Sequence, residues 1–360
     1  IRPLSIKNLV VMGLCAIVFF IQLFTVYVLG FILLELLPFS ERKRVWLRRY
    51  QQRLFLFDLR HIPYVKFRIE GLTENTLASS SIIISNHQSM LDAAVFMAMG
   101  PKTILISNEK VSCNPVIRHI YKWNAFITLA GKDLIDDKLM KKYIERGYSF
   151  VIFPEGKRND NSSICRFHKG AFLLAERYQL DILPVIIHGL NVVLPRNSFQ
   201  VFPGNITIKV YKRISVEGQQ SYNELTSLVY DFYKRKYKAL TRELETAAYY
   251  VSLVKDRYRY KGVDSYRNVC KNLKHNDNYA KWIDTEDVHP VVIVKNSGYG
   301  EFALLYALVH RSTQVFVFEQ DENIASMLTY CAKDIVDNLE VIDNMDIDKE
   351  KYPEAKVFSL

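Results

Sequence analysis

The feature that most constrains the fold is a pair of short polar motifs, each of which follows an apolar, β-branched run. Residues 81–85 precede the first motif, residues 86–92, and residues 148–152 precede the second, residues 153–158. In open α/β sheets, ligands and reactive side chains gather at the carboxyl ends of the strands. The pattern therefore predicts two strands of an α/β domain with an active site at their ends.

The first motif offers a base and a group to orient it. His87 is followed five residues later by Asp92, and a His that takes a proton from a hydroxyl needs its other ring nitrogen held by an acceptor. Asn86 and nearby backbone amides could stabilise a developing oxyanion. Ser89 is a weaker candidate nucleophile because it lacks the Gly-x-Ser-x-Gly context. The motif predicts a His–Asp pair that activates an incoming hydroxyl.

The second motif offers an anion site on a turn that contains Gly156. Arg158 can hold a phosphate or carboxylate through two hydrogen bonds, and Lys157 adds positive charge. Glu155 could bind acceptor hydroxyls or fix the loop through Arg158. Either motif alone is typical of an ordinary structural segment, but their joint occurrence after strands indicates a transferase active site.

Together the motifs resemble the signatures of the glycerolipid acyltransferase family, the lysophosphatidate or PlsC-like group, which are H-x4-D and F-P-E-G-[TS]-R. Residues 167–171 and 182–185 are similar to two later blocks of that family. The four blocks stand in the family's order and cover roughly residues 60–215. The resemblance implies acyl transfer from acyl-CoA or acyl carrier protein to a lipid hydroxyl, with no further cofactor.

The resemblance also implies roles for individual residues. His87 would be the base and Asp92 its partner. The substrate-binding set that the residues and the resemblance predict is Asn86, Glu155, Gly156, Lys157 and Arg158.

Two departures from the family pattern leave the acyl acceptor open. Lys157 stands where the family has Thr or Ser. A family block with a Phe-Ile-x-Arg pattern corresponds to residues 124–129, which lack the arginine, and Lys132 follows three residues later. Because that arginine is thought to meet the acceptor's phosphate, lysophosphatidate, another lysolipid, an aminoacyl lipid and another alcohol all remain candidates.

A long uncharged segment predicts a membrane anchor. Residues 9–34 carry no charge, and as a helix they would span roughly 39 Å, against a hydrocarbon core of about 30 Å. A signal peptide is the rival interpretation, but the apolar region is too long and no small-residue cleavage site follows it. The segment is therefore predicted to cross or deeply enter a membrane.

Basic residues concentrate on the carboxyl side of this segment, which predicts that the catalytic domain is cytoplasmic. They are Arg42, Lys43, Arg44, Arg48, Arg49, Arg53 and Arg60. Apolar residues interleave with them, so residues 46–59 form either an interfacial amphipathic helix or a charged helix packed on the domain. The net charge of +10 favours an anionic partner, and its position beside a membrane segment indicates membrane lipids and not nucleic acid.

A second α/β pattern begins near residue 290. The strand 291–294 is followed by Gly298 and Gly300, and Glu319 comes about twenty residues later, as in a dinucleotide or S-adenosylmethionine fingerprint. This segment resembles the first half of a class I methyltransferase. Val294 and Asn296 replace the usual acidic residue and first glycine, so the sequence favours a degenerate or partial unit, with S-adenosylmethionine binding at Gly298, Gly300 and Glu319 as the alternative.

The predicted fold class is α/β, with a three-layer acyltransferase domain containing a mixed sheet, an N-terminal membrane helix and a C-terminal partial Rossmann-like βαβαβ unit. The predicted segments are an anchor (1–40), an acyltransferase domain (41–216), a helical connector (217–288) and the Rossmann-like unit (289–360). No metal site is predicted. The predicted function is a membrane-bound O-acyltransferase; the alternatives are a bifunctional acyltransferase and methyltransferase, or an inactive lipid-binding module.

Overall fold

The computed structural model describes most of the chain, and it divides the chain into two units, one ending at Thr241 and the other beginning at Arg242. The described residues are 6–108, 123–124, 127–129, 136–159, 163–196, 201–218, 221–275, 277–295, 298–333, 335–343, 352 and 354–359. The segment boundaries predicted near residues 40, 216 and 288 stay predictions.

The first unit begins with the apolar helix α1 (Ile6–Phe31), which a π-helical turn (Ile32–Leu36) continues. Its segment Met12–Leu36 is long and apolar enough to cross a membrane, and few of its residues are buried. A helix in the core of a soluble domain would be mostly buried, because apolar side chains are stable there only when they are packed. The exposed apolar surface is what the sequence predicts for a membrane-embedded helix.

Helix α2 (Glu41–His61) has two different faces. One face buries Leu47, Arg48, Gln51 and Leu59 against the domain. The opposite face exposes four arginines and two aromatic residues, which form a stripe along the helix because they recur at helical spacing. This stripe consists of Arg42, Trp46, Arg49, Arg53, Phe57 and Arg60.

A seven-stranded mixed sheet forms the centre of the first unit, which confirms the predicted α/β class. Its strands are β1 (Val65–Glu70), β2 (Ile82–Ser85), β3 (Thr103–Asn108), β4 (Ile127–Leu129), β5 (Ser149–Ile152), β6 (Ile182–His188) and β7 (Gly204–Val210). Their order is β1-β7-β6-β2-β5-β3-β4. All neighbouring strands are parallel except β6 and β7.

Helices cover the sheet, because the central strands are apolar on both faces. They are α3 (Asp92–Met99), α4 (Asp137–Glu145), α5 (Gly170–Tyr178), the single turn α6 (Leu190–Val193) and α7 (Tyr222–Leu244). Ile82, Ile83 and Ile84 of β2 are fully buried, and Ile83 shares a core with Val95 and Phe96 of α3. Strand β2 is therefore held rigidly from both sides, and the first motif begins where it ends.

The second unit is a smaller α/β arrangement. Its elements are α8 (Ala247–Tyr258), α9 (Val263–His275), α10 (Asp277–Thr285), β8 (Val291–Lys295), α11 (Glu301–Val309), β9 (Gln314–Phe318), α12 (Glu322–Ala332), β10 (Leu339–Ile342) and β11 (Lys356–Ser359). The four strands are parallel in the order β10-β9-β8-β11. The predicted βαβαβ order is present, and β11 adds a strand on the other side of β8, as in doubly wound sheets.

Candidate active site

The structure brings the two polar motifs together at one edge of the first sheet. Strands β2 and β5 are parallel neighbours, so their carboxyl ends lie side by side. The backbone N–H of His87 donates to Glu155 Oε1 at 3.0 Å, and the backbone N–H of Asn159 donates to the His87 carbonyl at 2.8 Å. Glu155 of the second motif and Asn159, which follows that motif directly, thus hold the backbone N–H and the carbonyl of His87.

His87 and Asp92 form the pair that their spacing predicts. His87 Nδ1 lies 2.5 Å from Asp92 Oδ2, and the same oxygen accepts the backbone N–H groups of Gln88 at 2.7 Å and Ser89 at 3.0 Å. Asp92 is fully buried and is the first residue of α3, where the helix dipole favours a carboxylate. The carboxylate is therefore fixed before any substrate binds.

The imidazole of His87 is also fixed by packing. Its ring stacks on Phe153 with centroids 4.2 Å apart and planes 19° apart, and Phe153 in turn contacts Phe96 edge-on. The His87 side chain remains 24% exposed. Because Nδ1 faces Asp92, Nε2 is the ring nitrogen left for a reacting hydroxyl.

Two other residues of the first motif are held by the scaffold. Ser89 is buried, and its hydroxyl donates to the Leu194 carbonyl at 2.9 Å, so the geometry does not favour it as a nucleophile. Asn86 is also buried; its amide donates to the Ile187 carbonyl and accepts the Ile187 N–H, both at 2.8 Å. This pairing favours a positioning role for Asn86 over the predicted contact with substrate.

Glu155 lies inside the protein, with 3% of its surface exposed. Its second oxygen accepts the backbone N–H of Cys165 at 2.9 Å, so each carboxylate oxygen receives one backbone donor. Burial raises the pKa of this carboxyl, and the two amide donors offset part of that rise. Of its two predicted roles, the geometry favours fixing the loop, through the backbones of His87 and Cys165 and not through Arg158.

The turn after Glu155 presents the cationic side chains. Gly156 has a φ of +67°, and a Cβ there would lie 3.1 Å from the His168 ring, so the position favours glycine. Lys157 is exposed and Arg158 is half-buried. Among the described residues, Arg158 Nη1 is buried without a hydrogen-bond partner. A buried guanidinium donor of this kind is satisfied best by an anionic oxygen.

The sequence missed two kinds of contact at this site. Asn159 follows the second motif directly, and its position alone was a weak signal for its contact with His87. Gln88 donates through Nε2 to the Tyr237 hydroxyl at 2.9 Å, and it accepts the Leu190 N–H through Oε1 at 3.2 Å. No local pattern could indicate the contact between Gln88 and Tyr237, since 149 residues separate them. Lys132, the candidate substitute for the family arginine, lies outside the described residues.

In the second unit, Gly298 and Gly300 lie between β8 and the start of α11. A Cβ on Gly300 would lie 2.4 Å from the Leu328 side chain, so this glycine allows α11 and α12 to pack closely. Glu301 is fully buried, and it accepts the Tyr299 N–H at 2.9 Å and the Asn272 amide at 2.7 Å. The chain's own carboxylate thus lies at the helix start, where a bound phosphate or carboxylate would sit.

Glu319, the third candidate cofactor residue, lies just past the carboxyl end of β9. Its Oε1 accepts the backbone N–H of Asp321 at 2.9 Å. The binding of S-adenosylmethionine at Gly298, Gly300 and Glu319 stays a prediction, and the carboxylate of Glu301 weighs against it. Within the described part of the chain, no group of three or more His, Cys, Asp or Glu residues is placed to hold a metal ion.

Comparisons with known proteins identify acyltransferases that are similar to part of this chain. The family described as Acyltransferase matches residues 66–188. A chloroplastic 1-acyl-sn-glycerol-3-phosphate acyltransferase of Arabidopsis thaliana is 28% identical over 42% of this chain and 44% of its own length. The human 1-acyl-sn-glycerol-3-phosphate acyltransferase beta is 25% identical over 46% of this chain and 61% of its own. The chain thus spans about half the length of the first of these relatives.

A solved structure supports the fold independently. The 1-acyl-sn-glycerophosphate acyltransferase PlsC from Thermotoga maritima superposes with a TM-score of 0.55 and 19% identity, covering 66% of this chain and 97% of that protein. Fold and motifs together define an acyltransferase domain. Over residues 66–188 the chain is therefore similar to acyltransferases of the glycerolipid, PlsC-like group.

Proposed function

We propose that this protein is a membrane-bound acyltransferase that moves a fatty acyl group from acyl-CoA or acyl carrier protein to the hydroxyl of 1-acylglycerol-3-phosphate or a related lysolipid. The observation that carries the proposal is the 2.5 Å contact of His87 Nδ1 with buried Asp92, in a loop locked to the Glu155 motif. The relatives are named for acylation of 1-acylglycerol-3-phosphate, which supports the acceptor class.

The site can perform the reaction as a direct transfer. His87 Nε2 takes the proton of the acceptor hydroxyl while that oxygen attacks the thioester carbonyl carbon. The new C–O bond forms, the C–S bond breaks, and the leaving thiolate takes the proton from the imidazolium. Asp92 stabilises the imidazolium between the two transfers, as the acid of a catalytic triad does. No cofactor takes part in this scheme.

The acceptor's anionic headgroup is assigned to Arg158 and Lys157. The unpartnered Arg158 Nη1 supports this assignment, because a phosphate oxygen would complete its hydrogen bonding. The exposed Lys157 adds a second positive charge on the same turn. Glu155 holds this turn against the His87 backbone, so the anion site and the base move as one body.

An apolar cavity of about 500 Å³ supports a lipid substrate. It is lined by side chains of α1, α2, α3 and the segment before β7, among them Met12, Phe19, Phe55, Leu91, Ala94 and Val201. Its volume lies within the range of small-molecule sites. Leu91 and Ala94 flank Asp92 in sequence, so the cavity reaches the helix that carries the orienting carboxylate.

The two N-terminal helices support the proposed membrane attachment. The exposed apolar surface of α1 would insert into the hydrocarbon, and the arginine and aromatic stripe of α2 would lie at anionic headgroups. Trp46 and Phe57, both about half exposed, are suited to the interface. The positive flank supports a catalytic domain on the cytoplasmic side.

The test incubates membranes containing the full chain with isotope-labelled acyl-CoA or acyl carrier protein and a panel of lysolipids and other lipid alcohols. Lipid mass spectrometry identifies the product. His87→Ala should remove the labelled product, whereas His289→Ala, at a histidine of similar exposure (26%), should not. Equal product from His87→Ala would contradict the mechanism. Absence of product from the unaltered protein with every acceptor would favour the inactive lipid-binding module.

A further inference from the structure

Helix α7, which follows the family-matched residues 66–188, reaches the active-site loop with two buried tyrosines. Tyr233 and Tyr237 are four residues apart, so they lie on the same face of the helix, and they are 0% and 4% exposed. The Tyr233 hydroxyl contacts the end of β2, three residues before His87. The Tyr237 hydroxyl contacts the residue after His87. The helix therefore holds the base from both directions along the chain.

The Tyr233 hydroxyl forms a bridge between two neighbouring strands. It accepts the backbone N–H of Val185 in β6 at 3.0 Å and donates to the Ile84 carbonyl in β2 at 2.5 Å. Burial raises the pKa of this phenol well above its usual value, so it stays protonated and keeps its donor. The bridge lies at the last ladder step between β2 and β6, Ser85 with Val185, beyond which β2 ends and the first motif begins while β6 continues to His188.

Beyond that step, side chains of the first motif contact β6 and the turn α6 that follows it. The Asn86 amide pairs with Ile187, and the Gln88 amide accepts the Leu190 N–H. The Tyr237 hydroxyl accepts the remaining Gln88 donor at 2.9 Å. His87 thus lies between Asn86 and Gln88, whose side chains are both held by hydrogen bonds. Tyr237 of α7 makes one of the hydrogen bonds to Gln88.

The same helix also contacts the segment that follows the anion-binding turn. The Phe167 ring packs edge-on against Tyr230 and Tyr233, with centroids 5.3 and 5.2 Å away. His168 next to it donates its N–H to the Pro154 carbonyl at 2.8 Å. Tyr233 therefore touches the supports of both the base and the anion site.

We propose that Tyr233 and Tyr237 of α7 are positioning residues for acyl transfer, because their hydroxyls tie the end of β2, the neighbouring strand β6 and Gln88 to a single helix face. Neither residue touches the reacting atoms. Their role is to keep Nε2 of His87 aligned with the acceptor hydroxyl, and it rests on the proposed function. A displacement of about 1 Å at a reacting group can cost on the order of a hundredfold in rate.

The test compares Tyr233→Phe and Tyr237→Phe with Tyr230→Phe, which removes a hydroxyl from the same helix while keeping the ring against Phe167. The readouts are kcat and KM for acceptor and donor, with the thermal unfolding midpoint measured for each variant. We expect kcat to fall about tenfold in the first two variants, while both KM values stay within about twofold of the unaltered protein. Tyr230→Phe should match the unaltered protein in kcat and KM.

A double-mutant cycle tests the path from Tyr237 to His87. If the tyrosine acts through Gln88, the double variant Gln88→Leu/Tyr237→Phe should lose no more kcat than Gln88→Leu alone. Additive losses would overturn the path. If Tyr233→Phe does not fold, Tyr237→Phe and the cycle still decide the matter.

The outcomes separate this inference from the proposed function. Suppose that Tyr233→Phe and Tyr237→Phe have the same kcat as Tyr230→Phe and differ from it only in a lower unfolding temperature. That result would overturn the positioning role and leave the proposed acyl transfer unaffected. If His87→Ala abolishes acyl transfer and His289→Ala does not, the proposed function is supported, whatever the result for Tyr233 and Tyr237. An unaltered protein without acyl transfer would remove both proposals.

Discussion

The ends of β2 and β8 are built alike and differ in what they leave accessible. In each, a parallel strand is followed by a loop and then by a helix whose first residue is a fully buried carboxylate, Asp92 in α3 and Glu301 in α11. Asp92 accepts two backbone amides and orients a partly exposed imidazole. Glu301 accepts one backbone amide and one Asn side chain, with no titratable partner in those contacts.

Both carboxylates lie at the start of a helix, so the groups that they contact decide whether they can take part in catalysis. The helix dipole and the backbone amides stabilise the negative charge in both places. Of the two carboxylates, only Asp92 contacts a partly exposed side chain that can accept and donate a proton, the imidazole of His87. Glu301 makes these hydrogen bonds to groups of the protein itself. Its carboxylate therefore occupies the position at the start of α11, beside Gly298 and Gly300, where a bound anion would lie.

The rate of acyl transfer should change most when the carboxylate of Asp92 is removed. Asp92→Asn keeps the size of the side chain but no longer stabilises an imidazolium, and in a Ser-His-Asp triad the equivalent change lowers kcat by about 10⁴-fold. We expect a loss of about 10³-fold or more in acyl transfer, measured with labelled acyl donor. The matched variant Glu301→Gln should retain the full rate, and a similar rate in the two variants would contradict the assignment of Asp92.

The next effect sharpens the assignment of the anion site. Arg158→Ala removes the donor that has no partner among the described residues, and a hydrogen bond to a charged group contributes about 1.5–3 kcal/mol. The KM for a phosphate-bearing acceptor should therefore rise by about tenfold or more, with kcat less affected. Arg166→Ala, at an exposed arginine nearby in sequence, serves as the control. An unchanged KM in Arg158→Ala would remove this residue from headgroup binding.

A smaller effect is expected in the apolar cavity. Ala94→Phe fills part of the volume beside α3, so the relative rate with short acyl donors over long ones should rise by about tenfold, since each methylene contributes on the order of 1 kcal/mol in a hydrophobic pocket. Competition between acyl donors of different length measures this ratio. An identical length profile would show that the acyl chain lies elsewhere.

The smallest effect concerns the stability of the second unit. Burial raises the pKa of Glu301 above that of an exposed carboxyl, so the folded chain binds more protons than the unfolded chain between the two pKa values. The contribution of Glu301 to the free energy of unfolding is present below the unfolded pKa and is lost as pH rises through the folded pKa. Urea unfolding should therefore show Glu301→Gln gaining stability relative to the unaltered chain as pH rises. A constant difference would mean that Glu301 carries no such shift.

The sequence could predict the parts of the site that depend on local order. The apolar runs predicted β2 and β5, and the five-residue spacing predicted that His87 would pair with Asp92. The pairing of the two strands explains why the two motifs act together. Each of these follows from periodicity and from the geometry of parallel sheets.

The remaining features depend on long-range packing. Glu155 looks like a surface residue in sequence, but its side chain turns inward to the His87 backbone. Tyr237 lies 149 residues from Gln88, and an aromatic residue on a helix usually indicates only core packing. Strand β11 has four residues and pairs with β8 on the side away from β9, a pairing that so short a segment did not indicate.

The central claim, that His87 activates the acceptor hydroxyl for direct attack on the thioester, is tested most directly by a single-turnover experiment. Excess enzyme is mixed with labelled acyl-CoA and the identified acceptor, and label on protein and on lipid is followed over time. We predict that label passes to lipid without appearing on the protein, and that His87→Ala transfers none. Label bound covalently to the protein before it reaches lipid, or unimpaired transfer by His87→Ala, would contradict the claim.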